Sequence, residues 1–438
     1  MKSISVTSFE IDDPASALDQ LVAGVQNGLT LQANSFGILL ADADFDGAAL
    51  SAGLKQRLGL DVAGFTTLAT FDREGHHENA AVLTVLTADD VRFCAAASEP
   101  FSEDYREQMI ATYRATIPAD AAADEHPGLI LLFAPNGEPF SGDKYPDLLG
   151  AATAGAPIIG GVCSDDYDYA RARVFLSGRE YADSMVLVSL WGNVRPLFSI
   201  RHVTSDLADR TQRVKRARDN VVYEMDRGNL VEFLEGFGLD TSVEDPLLAF
   251  TSYPMMLTSD NENEVPLMRH ILTLDCDLGS GTFVGDVPEG TLANICLVSR
   301  EDLKVSARES MQGILEQIEA QTDGGGAAAA PSATTTDAAP AAPSATAAPA
   351  ATAAAAAPAA PSAAADYRYS TVFCVSCCGR AIILGTEADA EGDEIKALLP
   401  DDLVLTGAYA LGEICPTHYA HGVATNRFHN CSITLCAF

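Results

Sequence analysis

The pattern of apolar and polar positions repeats three times along the chain. In each copy a short apolar run leads through a segment with helical spacing into a second apolar run, and an outgoing strand-like run follows. The first strands read FGILLA from Phe36, GLILLFA from Gly128 and TVFCVS from Thr371. The predicted helices lie around residues 47–58, 144–153 and 391–399. Each copy is therefore a predicted strand-helix-strand unit.

A glycine stands at the same place in the second strand of every copy. Gly64, Gly160 and Gly407 occupy it in the runs LDVAGFTT, APIIGGVCSDD and LVLTGAYALGEI. The separation of the two strands, about 26 to 33 residues, suits a right-handed crossover through a helix. A repeated glycine indicates either a positive φ or a close approach of another backbone. Tight packing of the helix on the sheet is the plainer alternative.

The stretch between the second and third copies has a different pattern. Residues 214–298 contain several strand-like runs, among them NVVYEMD, PLLAFTSY and LANICLVS, and one short helix, NLVEFLEGFG. Strands and helices thus alternate in the three copies, whereas strands cluster in residues 214–298. The chain is predicted to be an α/β protein with mixed sheets and strand-helix-strand repeats.

Residues 323–365 consist almost entirely of Ala, Pro, Ser, Thr and Gly, a composition typical of a disordered tether. They separate a predicted helix, REDLKVSARESMQGILEQIEAQ, from a predicted strand, YSTVFCVS, and the closure cost of so long a loop grows only logarithmically. The piece of about 73 residues after the tether is marginal as a lone domain. We therefore predict two interleaved parts, 29–210 and 211–438, the second interrupted by this long disordered Ala/Pro-rich insertion.

Composition narrows the classes of function. The 438 residues carry a formal net charge of -34, spread along the chain, which repels phosphate backbones and anionic lipids. Neither nucleic acid nor a membrane surface is an expected partner. No secretion signal or apolar run of about 20 residues is present, so the protein is expected to be cytoplasmic and its ten cysteines reduced.

Several motifs together resemble the FIST family of signal-transduction sensors. The most specific are S-C-x-G-R at Ser376 to Arg380, Y-x-x-G-E-I at Tyr409 to Ile414 and the final F-H-N, supported by APIIGGVCSDD, DPLLAF, RHILTLD and FVGDVPEGT. The resemblance spans about Leu29 to Phe438 apart from the tether. It implies an intracellular module with a FIST N-like and a FIST C-like domain that binds small ligands, amino acids or their derivatives among them. Its output would pass through a separate kinase, cyclase or receptor.

The candidate ligand contacts lie in these motifs. Arg380 and Glu413 each follow a glycine at the end of a strand-like run, and the two charges could hold the carboxylate and the ammonium of an amino acid across a crevice. A salt bridge between them, or two solvated charges, is the structural alternative. His429 and Asn430, expected to begin the last strand, add neutral hydrogen-bonding groups. Two further candidates are Tyr409, as a pocket wall, and Cys377.

The segment between Glu413 and Phe428, which carries Cys415, His418 and His421, is interpreted as a His- and Cys-bearing loop, a variable lid over the pocket. A metal or redox site at Cys415 and His418 is one alternative, although the spacing lacks a matched pair of C-x2-C motifs. An enzyme with Cys377 as nucleophile and His429 as base is another, and a pure interaction scaffold is a third. The chain has no phosphate loop, G-x-S-x-G or H-E-x-x-H motif. We predict a sensor without catalytic activity, cofactor or metal.

Overall fold

The computed structural model describes residues 1–136, 140–166, 170–203, 205, 207–259, 264–322 and 367–438. The predicted insertion, 323–365, lies outside these described residues. The mixed α/β architecture predicted from the sequence is confirmed, with several sheets and helices in alternation. No helix in the described ranges is long and apolar enough to cross a membrane.

Three copies of one unit form the frame of the molecule. The first comprises β1 (Lys2–Ser8), α1 (Pro14–Gly28), β2 (Asn34–Ala41), α2 (Gly47–Leu58), β3 (Asp61–Thr66), β4 (Thr70–Asp72), β5 (Gly75–His77) and β6 (Ala81–Ala88). The second comprises β7 (Val91–Ala97), α3 (Tyr105–Ala115), β8 (Leu129–Ala134), α4 (Lys144–Ala152), β9 (Ile158–Val162), β10 (Val174–Leu176), β11 (Arg179–Tyr181) and β12 (Val186–Gly192). The third copy opens with β13 (Leu197–His202) and is then interrupted.

The interruption is an inserted unit, here defined as residues 212–295. It contains β14 (Gln212–Arg218), β15 (Val221–Met225), β16 (Gly228–Asn229), α5 (Leu230–Gly236), α6 (Pro246–Ala249), β17 (Met255–Thr258), β18 (Leu267–Arg269), β19 (Ile271–Asp275), β20 (Ser280–Phe283) and β21 (Leu292–Ile295). The third copy then continues with α7 (Arg300–Thr322), β22 (Thr371–Cys377), α8 (Cys378–Leu384), a 3-10 turn (Gly385–Glu387), α9 (Ala390–Lys396), β23 (Val404–Ala410), β24 (Glu413–Ala420), β25 (Val423–His429) and β26 (Ser432–Ala437).

The three copies share one topology. In each, the first two strands of the predicted unit are parallel (β2 with β3, β8 with β9, β22 with β23), and the outgoing strand lies antiparallel to the first. The sheets run β1-β6-β2-β3-β10-β11, β7-β12-β8-β9-β24-β25 and β13-β26-β22-β23-β4-β5. The repeats predicted from the sequence are therefore confirmed.

The hairpins at the ends of these sheets are exchanged cyclically. Hairpin β4–β5 of the first copy pairs with β23 of the third, β10–β11 of the second pairs with β3 of the first, and β24–β25 of the third pairs with β9 of the second. The apolar faces meet in a common core to which all three sheets contribute, with Phe65, Phe133 and Phe373 among its members. The exchange confirms interleaved parts and explains why residues after the tether complete the frame.

The repeated glycine is explained by close approach of the neighbouring strand. A Cβ on Gly64 would lie 1.6 Å from the carbonyl oxygen of Leu39, and one on Gly160 would lie 1.8 Å from that of Leu132. At Gly407 the nearest atoms, Cβ and O of Cys374, are 2.7 Å away. None of the three glycines has a positive φ. Of the alternatives left open by the sequence, close backbone approach is therefore the one observed.

The inserted unit differs in one element from the prediction. The run PLLAFTSY was expected to be a strand, but its first four residues, Pro246–Ala249, form α6 instead. Its start is fixed by Asp245, whose side chain accepts a hydrogen bond from the amide of Leu248, and by Pro246 at the first helical position, where a missing N–H costs nothing. The unit has its own core around Phe233 and Phe283, below a sheet that runs β18-β17-β21-β14-β15-β20-β19.

The C-terminal segment interpreted as a His- and Cys-bearing loop is a β-hairpin, so that interpretation was wrong. Strands β24 and β25 pair from Glu413 opposite His429 to Ala420 opposite Val423. A two-residue turn joins them, in which His421 and Gly422 both have positive φ, 54° and 81°, as a hairpin with the right-handed twist of its strands requires. His429 ends β25 and does not begin the last strand, which starts at Ser432.

Candidate ligand-binding site

A cavity of about 350 Å³ lies where the frame meets the inserted unit. Asn136 and Val162, at the carboxyl ends of β8 and β9, line it from the second copy. Cys377, at the carboxyl end of β22, lines it from the third copy. Ligands of open α/β sheets commonly bind outside the carboxyl ends of the strands. Two copies of the frame therefore place the carboxyl ends of their parallel strands at the same cavity.

The inserted unit covers this crevice. His270 and Phe283 line the cavity from that side, opposite Gly379 of α8. A Cβ on Gly379 would lie 2.7 Å from Nε2 of His270, so a larger residue at this point of the wall would displace the imidazole ring. The cavity is thus bounded by two copies of the frame and by the inserted unit.

None of the described residues that line the cavity is Asp, Glu, Lys or Arg. Charged side chains stand immediately behind the wall, but they are paired with one another. Nη2 of the fully buried Arg269 lies 2.8 Å from Oδ1 of Asp143, and Nζ of Lys144 lies 2.6 Å from Oδ2 of Asp286. These pairs also join the inserted unit to the start of α4. The part of the cavity wall that the structure describes is therefore uncharged.

Most polar side chains of the wall are already hydrogen-bonded within the protein. The hydroxyl of Thr251 donates to the carbonyl of Leu247, and the amide of Asn220 donates to the carbonyl of Phe283. His270 is different, because it is buried and neither ring nitrogen has a hydrogen-bond partner. Burial lowers the pKa of His270 to about 4, so the ring is neutral at pH 7 and carries one donor and one acceptor nitrogen.

The two cysteines of the wall are neutral thiols. Burial raises the pKa of Cys378 to about 12 and raises that of Cys377 well above its usual value, in the second case with help from the nearby carboxyl of Glu413. A thiol that stays protonated is a poor nucleophile and a poor metal ligand. Cys377 is the one residue among the six predicted ligand contacts that lines the cavity.

Arg380 is used by the protein itself. Its Nε and Nη2 donate to Oε1 of Glu391, and Nη2 also lies 2.8 Å from Oγ of Ser306. The second oxygen of Glu391 accepts the hydroxyls of Ser376, at 2.9 Å, and Tyr409, at 3.0 Å. The predicted clamp of Arg380 and Glu413 around an amino acid stays a prediction. Arg380 makes a buried ion pair with a different carboxylate, on α9, which the sequence analysis had placed only in a helix.

Glu413, His429 and Asn430 lie close together behind Cys377, fully buried. Oε2 of Glu413 accepts the hydroxyl of Ser432 at 2.6 Å, whereas Oε1 has no N–H or O–H donor. Burial raises the pKa of Glu413 to about 8, and the Ser432 and Cys377 side chains and Arg380 oppose the shift. Six predicted residues are thus brought into one region, five of them outside the cavity lining; their role as ligand contacts stays a prediction.

The geometry does not assemble the alternative sites. Nε2 of His429 lies 3.2 Å from the carbonyl of Cys415, and its Nδ1 has no partner, so the ring does not hydrogen-bond the thiol of Cys377. Burial lowers its pKa well below the usual range. Cys415 is buried whereas His418 is exposed, on either side of a β-bulge in β24. Within the described residues, no group of three or more His, Cys, Asp or Glu side chains could hold a metal ion.

Sequence reasoning missed the inserted-unit side of the site. His270 lies in the motif RHILTLD and Gly379 in S-C-x-G-R, and neither motif shows that the two residues face each other. A histidine between an arginine and an apolar strand was a visible signal, but the pattern did not show that the ring turns towards β22 and α8.

The structure thus shows an α/β frame of three copies with a cavity between the frame and an inserted unit. Comparison with known families identifies the family to which the chain belongs. The profile of the FIST N domain matches residues 35–227 and that of the FIST C domain matches residues 231–416, so the chain belongs to the FIST family. These are sensor domains of signal transduction. No curated protein matches the chain.

Proposed function

We propose that this protein is a small-ligand sensor that binds its ligand in the cavity between the frame and the inserted unit. The observation that carries the proposal is the position of the cavity, at the carboxyl ends of parallel strands from two copies, with the buried and unpaired His270 in its wall. Amino acids or related metabolites are the ligands that the family resemblance suggests. The uncharged wall favours those derivatives that lack the two charges of a free amino acid.

Binding would act on the contact between the inserted unit and the frame. A ligand in the cavity touches both sides, and it favours whichever arrangement gives it more contacts. To shift such an equilibrium from 1:99 to 99:1 takes about 5.5 kcal/mol of differential binding, which is well within the roughly 8 kcal/mol of a micromolar ligand. The Arg269–Asp143 and Lys144–Asp286 pairs hold the same two parts together and set the arrangement that a ligand reinforces or loosens.

The signal would pass to a separate protein, a kinase, a cyclase or a receptor, in the cytoplasm. A non-enzymatic role is supported by the thiols of the wall, which burial keeps protonated, and by His270 and His429, neither of which hydrogen-bonds a nucleophile. Activation of a nucleophile requires such a contact with a base.

The test is a thermal-shift screen of the full chain against amino acids, their uncharged derivatives and related metabolites. Ile382→Trp places an indole in the cavity wall, and Leu278→Trp places the same group at a position that is 70% exposed and outside the lining. We expect compounds that raise the Tm of the wild type to act equally on Leu278→Trp and not on Ile382→Trp. Stabilisation that persists in Ile382→Trp would place the ligand elsewhere.

A further inference from the structure

We propose that the ligand is an uncharged, mainly apolar molecule of about two fused rings, with one polar group that hydrogen-bonds to His270. This inference rests on the proposed function, because it specifies the chemistry of the same cavity. It replaces the zwitterionic amino acid suggested by Arg380 and Glu413 with a different class of ligand.

The size follows from the volume. A protein cavity of about 150 Å³ lined by apolar side chains binds one benzene ring. The cavity here, at about 350 Å³, is a little more than twice as large. Phe140, Phe283 and Phe428 line it together with Leu247, Leu411 and Val284, so most of the surface offered to the ligand is apolar or aromatic. Two fused rings therefore fit the space, and a single small metabolite leaves much of it unfilled.

The inference that the ligand is uncharged follows from the residues of the cavity wall. An ionic group entering the cavity loses its hydration and meets no opposite charge among the described lining residues. The guanidinium of Arg269 and the carboxylate of Asp143 lie just behind Gly285, but each already has the other as its partner. Glu413 lies behind Cys377, outside the lining, and its carboxyl accepts the hydroxyl of Ser432. A free amino acid would need partners for two charges and would find none among the lining residues that the structure describes.

The single polar group follows from His270. Ser141 donates its hydroxyl to Asp143, and Thr251 and Asn220 donate to backbone carbonyls. Among the lining residues described, His270 alone combines burial with unpaired nitrogens. A neutral imidazole can accept from a hydroxyl or donate to a carbonyl. A ligand with one such group satisfies the ring, whereas a hydrocarbon leaves it unpaired.

Three probes with the same ring system separate these claims: naphthalene, 2-naphthol and 3-(2-naphthyl)alanine, titrated into the full chain at pH 7 and followed by their fluorescence. We expect 2-naphthol to bind with one-to-one stoichiometry and at least tenfold more tightly than the zwitterionic amino acid, since one unpaired charge outweighs one hydrogen bond. Ile382→Trp should abolish binding, and Leu278→Trp should leave it unchanged.

His270→Leu tests the polar contact. It should weaken 2-naphthol by up to about tenfold, the value of one neutral hydrogen bond, and leave naphthalene within about twofold. His270→Gln, which keeps a neutral donor and acceptor, should restore part of the loss and guards against a merely structural effect. Circular dichroism of each variant checks that the fold is retained.

Each of the other possible results would overturn a different part of the proposal. If 3-(2-naphthyl)alanine binds as tightly as 2-naphthol and Ile382→Trp abolishes both, the uncharged class is overturned while the cavity remains the ligand site. If naphthalene and 2-naphthol respond alike to His270→Leu, the assigned contact is overturned. If 2-naphthol does not bind, or binds Ile382→Trp unchanged, the ligand class fails, and the metabolite screen with Ile382→Trp decides the proposed function independently.

Discussion

The buried ion pair between Arg380 and Glu391 gives the sharpest prediction about stability. Both side chains are fully buried, and the carboxylate of Glu391 also accepts the hydroxyls of Ser376 and Tyr409. Glu391→Gln keeps the shape and most of the hydrogen bonds but removes the negative charge. The guanidinium of Arg380 then remains buried without a counter-charge, and it cannot lose its proton to escape the cost.

Removal of one partner from a buried pair typically costs about 3–5 kcal/mol. The unfolding entropy is about 2.1 cal/mol/K per residue, so the roughly 380 described residues give about 0.8 kcal/mol/K. For unfolding as one cooperative unit, Glu391→Gln should therefore lower the Tm by about 4–6 °C in differential scanning calorimetry.

Glu394→Gln is the matched control. It makes the same chemical change on the same helix, at a carboxylate that pairs with the largely exposed Arg308. Exposed pairs add little to stability, so its Tm should stay within about 1 °C of the wild type. Equal shifts for Glu391→Gln and Glu394→Gln would refute the buried pair and return Arg380 to the set of free cations available for a ligand.

Two further predictions concern the buried carboxyl and the repeated glycine. Burial raises the pKa of Glu413 from 4.5 to about 8, so the folded state holds this proton more tightly than the unfolded chain does. The resulting stability, up to about 5 kcal/mol, is fully present below pH 4.5 and is lost as the pH rises to 8. Glu413→Gln should therefore show a shallower fall in Tm between pH 5 and 8 than the wild type, and parallel curves would contradict the assignment. Gly160→Ala should cost roughly 3 kcal/mol or more, because its Cβ would overlap the backbone of β8. Gly150→Ala, in α4 with its nearest neighbour 3.8 Å away, should be neutral or stabilise by about 0.5–1 kcal/mol, as urea denaturation can check, and similar losses for both would argue against the close approach.

The frame was predictable from the sequence because each strand-helix-strand copy is encoded locally. The apolar runs, the helical spacing between them and the repeated glycine all fall within a few tens of residues. The exchange of hairpins is a different kind of information, since β4 pairs with β23 across more than 300 residues. No local pattern distinguishes a hairpin that pairs within its own copy from one that pairs with another.

The C-terminal hairpin and α6 were predicted wrongly, although the sequence contains residues that indicate each of them. The turn residues His421 and Gly422 indicate a hairpin, but the His and Cys residues around them favoured a loop; Pro416 lies beside a β-bulge of the hairpin. Asp245 and Pro246 are typical of a helix start, although the apolar run after them suggested a strand.

The candidate site was only partly predictable, because the sequence does not show which charged side chains pair with one another. Arg380 stands at a strand end, where a ligand contact is expected, and nothing in the sequence shows that Glu391, eleven residues later, faces it. The pairing holds the arginine outside the cavity, and the lining residues within the described ranges carry no charge. His270 and Cys377 come together only because the inserted unit folds over β22, which is a tertiary contact.

The central claim is that a ligand bound between the frame and the inserted unit stabilises both. Amide hydrogen exchange of the full chain with and without saturating 2-naphthol tests it most directly, because protection reports where a ligand couples to the fold. We predict slower exchange in residues 140–142, 270–285 and 377–382, and an unchanged rate in the hairpin β10–β11, which lies outside the lining. Protection confined to other segments, or none in the inserted unit, would contradict the account.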